Sequence, residues 1–247
     1  MSRFSRTRIL EELGGRPGYL DEAWHSQKGK AIREVIYGAT DGLVTSLGFV
    51  IGVFGALHDN RIILITGIAG ASAGAVSMGF SAYVSSKSQS EFFLAEIDRE
   101  RREMKEMPDK EKEEIRKIYR AKGFQGQELE MVVNRITAQP SVWLRTMMEE
   151  ELGLIVESFD DPSIVGLMTA ASYGAAAFLP IFPYAVIPPE SAFCWSVGIS
   201  IAALFALGAG KTRWTRLSAW RGGLEIVGIG VVSALIGFGI GKLTGGL

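Results

Sequence analysis

Apolar and charged positions are segregated along this chain rather than interleaved. Between residues 35 and 86, two apolar passages flank the polar tetrad His58-Asp59-Asn60-Arg61. Residues 47–57 and 62–83 carry no charge, and the full passages, 35–57 and 62–83, reach the roughly 20 residues that a bilayer-crossing helix needs. Three more apolar blocks follow: about residues 163–186, broken by Pro180 and Pro183 and stopped at Pro188-Pro189; about 191–210; and about 222–244. A soluble core would scatter its apolar residues through the sequence. The pattern therefore predicts an all-α integral membrane protein with five transmembrane helices and one soluble insertion. Residues 1–33 read as an N-terminal tail, flexible or lying on a surface, whose Gly14-Gly15-Arg16-Pro17-Gly18 cluster breaks any helix. Residues 34–86 read as spans one and two, 87–161 as the insertion, and 162–247 as spans three to five.

Some polar and small positions inside the spans change this picture. Asp41 lies within the first apolar passage. A carboxylate there costs a few kcal/mol and faces a partner or a watery path, unless it sits near the membrane surface as a local cap. Span two carries Gly67, Gly70, Ala71, Gly74 and Ser77, a small-xxx-small spacing that lets helices approach closely. Its polar end, residues 85–90, has no Pro or Gly, so the helix is expected to continue out of the membrane. Gly237 and Gly241 form a GxxxG in the last span, fit to pack on another helix or on a second subunit. Glu225, one turn after Arg221, reads as a membrane-surface contact.

The insertion is rich in charge, with 13 Glu, 2 Asp and 12 Lys or Arg over residues 91–151. Pro108-Asp109 and the pair Gly123 and Gly126 divide it into three expected helices, about 87–106, 109–121 and 127–151, with irregularity near Pro140. The third carries Leu129, Val132, Val133 and Ile136 at helical spacing. Residues three or four apart share a helix face. That relation links Glu96, Glu100 and Glu103; Glu111 and Glu114; and Met147, Met148 and Glu151. Three helices folded together would gather these groups into a metal site. The same spacing also fits solvated faces laced with ion pairs, and methionines at such positions also serve as core filler.

Charge fixes the orientation. The tail, the region 87–161 and the loop before the last span hold 24 Lys or Arg, against 2 on the other side, Arg61 and Lys242. By the positive-inside rule the N-terminus and the insertion are cytoplasmic. The net charge of −1 gives no support to a nucleic-acid partner. The single Cys194 excludes an internal disulfide framework and a Cys-based metal motif. No signal-peptide h-region is visible in residues 1–30.

Four segments together resemble the vacuolar iron transporter family. They are Arg33-Glu34-Val35-Ile36-Tyr37-Gly38-Ala39-Thr40-Asp41-Gly42-Leu43, Gly74-Ala75-Val76-Ser77-Met78-Gly79, the glutamate-rich insertion, and Met147-Met148-Glu149-Glu150-Glu151-Leu152-Gly153-Leu154. The resemblance implies a homodimer of five-span subunits that moves Fe²⁺, in some members Mn²⁺, out of the cytoplasm, with the pathway between subunits. It implies insertion ligands Glu100, Glu103, Glu111, Glu114, Met147, Met148 and Glu151, and pathway residues Asp41 and Met78; Glu96 is not carried over. The resemblance implies exchange by proton antiport; plant-type members have a glutamate in span two where this chain has Gly70, which removes one hard ligand and one proton acceptor per subunit.

The mechanism expected from these residues is capture by the insertion, transfer of a dehydrated ion to Asp41 with Met78 as a soft ligand that disfavours Mg²⁺ and Ca²⁺, and release where Asp41 protonates. No bond is made or broken, so no enzyme and no resident cofactor is expected; the divalent ion is cargo, and lipid, metal and a second subunit are the partners. One rival is a membrane-anchored metal buffer or sensor without transport. Another is a carboxylate di-iron enzyme, disfavoured because such bundle sites use Glu-x-x-His and both histidines, His25 and His58, lie outside the insertion. His58 reads as solvent-exposed. The expected location is a prokaryotic plasma membrane, with a vacuolar membrane as the alternative.

Overall fold

The structure, a computed structural model, describes residues 23–154, 161–215 and 218–245, with side chains from residue 32 and without those of 213–215. Every regular element among the described residues is helical. In chain order these are α1 (Ala23–Ala56), α2 (Asn60–Glu106), α3 (Pro108–Ala121), α4 (Gly126–Thr137), α5 (Pro140–Thr146), a π-helical turn (Met147–Glu151), α6 (Pro162–Ile181), α7 (Pro183–Val186), α8 (Pro189–Thr215) and α9 (Ala219–Thr244). The chain forms two compact units, one built on Val84–Pro162 and the other on Lys28–Tyr83 with Ser163–Leu247.

Five helices among the described residues are long and apolar enough to cross a membrane: Ile32–Ala56, Asn60–Glu106, Pro162–Ile181, Pro189–Thr212 and Ala219–Thr244. Their contacts run through missing side chains. A Cβ on Gly237 would stand 2.1 Å from the Gly48 carbonyl oxygen, and one on Gly241 would stand 2.0 Å from that of Gly52. The partner of the GxxxG in α9 is thus α1 of the same chain. Ser233, one turn earlier, donates its hydroxyl to the Val44 carbonyl at 3.1 Å, a type of bond that holds helices together where water is absent. Val50, Phe54, Ile63, Tyr173, Ile181 and Tyr184 fill one core cluster. Leu43, Leu47, Ile51, Leu204 and Ile226 fill another. Ile65, Val76, Phe80, Leu235 and Ile236 face outward, as a lipid solvent allows.

Two prolines shape the end of α6. Pro180 lies inside the helix, and Pro183 opens the short α7. The carbonyl of Pro180 accepts a bond from the buried Ser196 hydroxyl at 2.7 Å, so the break leaves that acceptor satisfied.

Three details differ from the sequence reading. The first helix begins by Ala23, upstream of residue 34, so part of the expected tail is helical; the Gly14–Gly18 cluster lies outside the described residues. The expected third insertion helix is divided, because Pro140 cannot donate within a helix and Gln139 before it is extended at φ −121° and ψ 113°. The last turn of that helix then widens into the π turn. Pro108 and the positive-φ glycines Gly123 and Gly126 do stop and start helices where expected.

Candidate metal centre

Pro108 restarts the chain after α2 and sets Asp109 and Glu111 in the first turn of α3. The amphipathic α3 and α4 bury Ile115, Leu129, Val133 and Ile136 with Trp143 and Met147. Phe93, Ile97, Leu144 and Met148 form a second cluster beside the end of α2. These apolar contacts hold the acidic faces of α2, α3 and the π turn against one another.

The result is a concentrated carboxylate site. Glu100, Glu103 and Glu111 each offer an oxygen within 4.8 Å of the others, and so do Glu111, Glu114 and Glu151. Oxygens on opposite sides of a small divalent ion lie about 4 Å apart, given metal–oxygen bonds of about 2.1 Å, so each group is near coordinating size. Glu111 belongs to both groups. It is wholly buried, Glu100 is 1% exposed, and neither oxygen of Glu111 nor one oxygen of Glu100 has a hydrogen-bond partner. Arg99 partly balances the site, at 2.9 Å from Glu96, 3.2 Å from Glu100 and 3.9 Å from Glu103. Lys110 lies 3.7 Å from Glu114.

Electrostatics follow from this geometry. Burial, then the charges of Glu114, Glu100, Glu103 and Glu151, push Glu111 up to about 7. Burial also raises Glu100, opposed by its bond from Arg99, and raises Glu151. A buried carboxylate without a counter-ion costs several kcal/mol, and it is relieved by a proton or by a cation.

The candidate ligands separate into two kinds. Glu100, Glu103, Glu111, Glu114 and Glu151 converge. Met147 and Met148 are fully buried and pack into the two apolar clusters on the turn that carries Glu151, a position that suits a thioether ligand as well as a packing residue. Glu96, not carried over as a ligand, pairs with Arg99.

In the membrane unit, the face of α1 bearing Asp41 runs against α6. Gly38 abuts Thr169 and Ser172, and Gly42 abuts the backbone of Tyr173. Two turns before Asp41, buried Glu34 accepts a bond from Thr169 Oγ1 at 3.3 Å and pairs with Arg33 at 2.7 Å. Met78, on α2, packs against the cluster that contains Tyr173. Gly70 is exposed, with only Phe49 near the position of a Cβ, at 4.0 Å. Sequence reasoning missed Tyr173, since an aromatic in an apolar block reads as core. It also missed Glu34, whose signal was a second acid at i−7 from Asp41. His58 is exposed, as expected, with its ring 4.5 Å from that of Phe54. Glu225 pairs with Lys211 at 2.6 Å, where Arg221 was its expected neighbour.

The profile of the VIT family matches residues 32–242, which takes in both units. The chain belongs to the VIT family. It is 32% identical to vacuolar iron transporter 1 of Arabidopsis thaliana over 221 residues, covering 89% of this chain and 88% of that protein. It is 33% identical to the vacuolar iron transporter of Centaurea cyanus over 237 residues, covering 94% and 97%. It is 30% identical to the vacuolar iron transporter of Plasmodium falciparum over 220 residues, covering 85% and 81%. Its apolar helices make this VIT family member a multi-pass membrane protein.

Proposed function

We propose that this protein carries Fe²⁺, and Mn²⁺ or similar divalent transition ions, out of the cytoplasm. The observation that carries the reading is the wholly buried, unpartnered Glu111 inside a ring of four other carboxylates. Such an arrangement is destabilising unless it serves to take up cations. The relatives' names support iron as the cargo.

In this reading the insertion is cytoplasmic and collects ions. Glu111, shared by both oxygen groups, bridges two of them. Asp41 then accepts an ion within span one, and Met78 contributes a thioether that disfavours Mg²⁺ and Ca²⁺. Met147 and Met148, on the turn that carries Glu151, add soft thioether ligands to the carboxylates. A homodimer places two copies of Asp41 and Met78 about one axis, and the exposed face of α2 bearing Ile68, Val76 and Phe80 supports such a contact. Release to the far side follows protonation of Asp41. Because Gly70 offers no second acceptor in span two, we propose weak proton coupling. The relatives' names support the vacuolar alternative for the membrane and give none to a prokaryotic plasma membrane.

The experiment is Fe²⁺ uptake into inside-out vesicles, with a pH gradient on and off. Uptake above that of empty vesicles, little changed by the gradient, is expected. Metal binding by the purified protein without any uptake would instead establish the anchored buffer or sensor.

A further inference from the structure

Asp41 and Met78 lie on different helices, and one residue of a third helix reaches the neighbouring turns of both. Tyr173, from the middle of α6, is 4% exposed. Its backbone carbonyl lies 2.4 Å from where a Cβ on Gly42 would stand. Its hydroxyl lies 2.3 Å from where a Cβ on Gly74 would stand. Its backbone therefore abuts α1 directly after Asp41, its ring abuts α2 one turn before Met78, and Met78 packs against its cluster. On α1, Thr45 follows Asp41 by one turn and is the side-chain hydrogen-bond partner of both Asp41 and Tyr173.

Chemistry orders these contacts. An ionised carboxylate only accepts, so the Thr45 hydroxyl donates to Asp41. Its oxygen is then the acceptor for the Tyr173 hydroxyl. A phenylalanine would fill the same slot at less cost, because a hydroxyl buried among spans is unfavourable without a partner.

We propose that Tyr173 is a positioning residue of the transport site. Its hydroxyl, acting through Thr45, holds the Asp41 carboxylate in the orientation that receives the ion, while its ring seats the turn that carries Met78. This rests on the reading of Asp41 and Met78 as pathway residues.

The test is the initial rate of Fe²⁺ uptake by full-length protein in proteoliposomes, measured against Fe²⁺ concentration. Tyr173→Phe is expected to raise the half-saturating concentration about three- to tenfold, the worth of one hydrogen bond, with the maximal rate retained. Thr45→Val is expected to do the same, and the double variant to be no worse than either single one, since all three break one chain of contacts. Should Tyr173→Phe fail to fold, Thr45→Val alone carries the comparison. Unchanged half-saturation in these variants, with Asp41→Ala inactive, overturns the positioning role and leaves the pathway intact. A loss of thermal stability and maximal rate with unchanged half-saturation shows a packing role and also overturns it. Effects that add in the double variant overturn the relay. Full transport by Asp41→Ala overturns the pathway reading itself.

Discussion

At the scale of single residues, Glu111 sets the behaviour of the insertion. Held at about 7 by burial and neighbouring acids, it keeps a proton that the unfolded chain loses in the ordinary carboxylate range. The metal-free fold therefore loses stability as pH rises from that range to about 7. Metal requires the deprotonated form, so affinity moves the other way. Calorimetry is expected to show a melting temperature for metal-free protein that is higher at pH 5.5 than at 7.5. Fe²⁺ affinity is expected to fall about tenfold or more from pH 7.5 to 5.5, as Glu111 takes up its proton. Glu111→Gln removes the buried charge and keeps the volume. It is expected to raise the metal-free melting temperature by several degrees, at about 2–4 °C per kcal/mol for a chain of this size, while weakening binding. A lower melting temperature would show that Glu111 is paired in the folded protein. The sequence made the acids legible, because each helix repeats them at i, i+3 or i+4. It did not separate ligand from filler at Met147 and Met148, since a thioether suits both roles and packing beside Ile115 and Phe93 is compatible with either.

Among elements, the spans were legible as uncharged blocks bounded by proline or charge, and the continuous α2 followed from the lack of a breaker at residues 85–90. The π turn was not legible: widening a helix over Met147–Glu151 leaves no residue signature, and it shows in the bond from Leu152 N–H to the Met147 carbonyl at 3.3 Å. The choice of helix partner was also hidden, because GxxxG states closeness without naming what comes close. Packing of α9 on α1 is tested by Gly241→Leu, whose side chain meets the Gly52 backbone, against Gly239→Leu, where nothing lies within 4 Å. In detergent the first is expected to lower the melting temperature by about 5 °C or more, as overpacking by about 1–3 kcal/mol does. The second is expected to leave it unchanged. Equal effects would place the α1–α9 contact elsewhere.

For the whole molecule, the claim is a division of labour: the insertion gathers ions and span one passes them on. A polar seam of Glu34, Asp41 and Thr45 along α1 faces α6, whereas a membrane anchor has no use for a carboxylate at that depth. The family was legible from four short segments in combination. The placement of Tyr173 between two helices was not, because contacts between residues more than 100 positions apart leave no local pattern.

The most direct measurement compares Fe²⁺ uptake by Glu111→Gln and Asp41→Ala in proteoliposomes, at limiting and at saturating Fe²⁺. The account predicts that Glu111→Gln is slow at limiting iron and recovers at saturation, while Asp41→Ala is inactive at both. Recovery of Asp41→Ala at high iron, or inactivity of Glu111→Gln throughout, would contradict it.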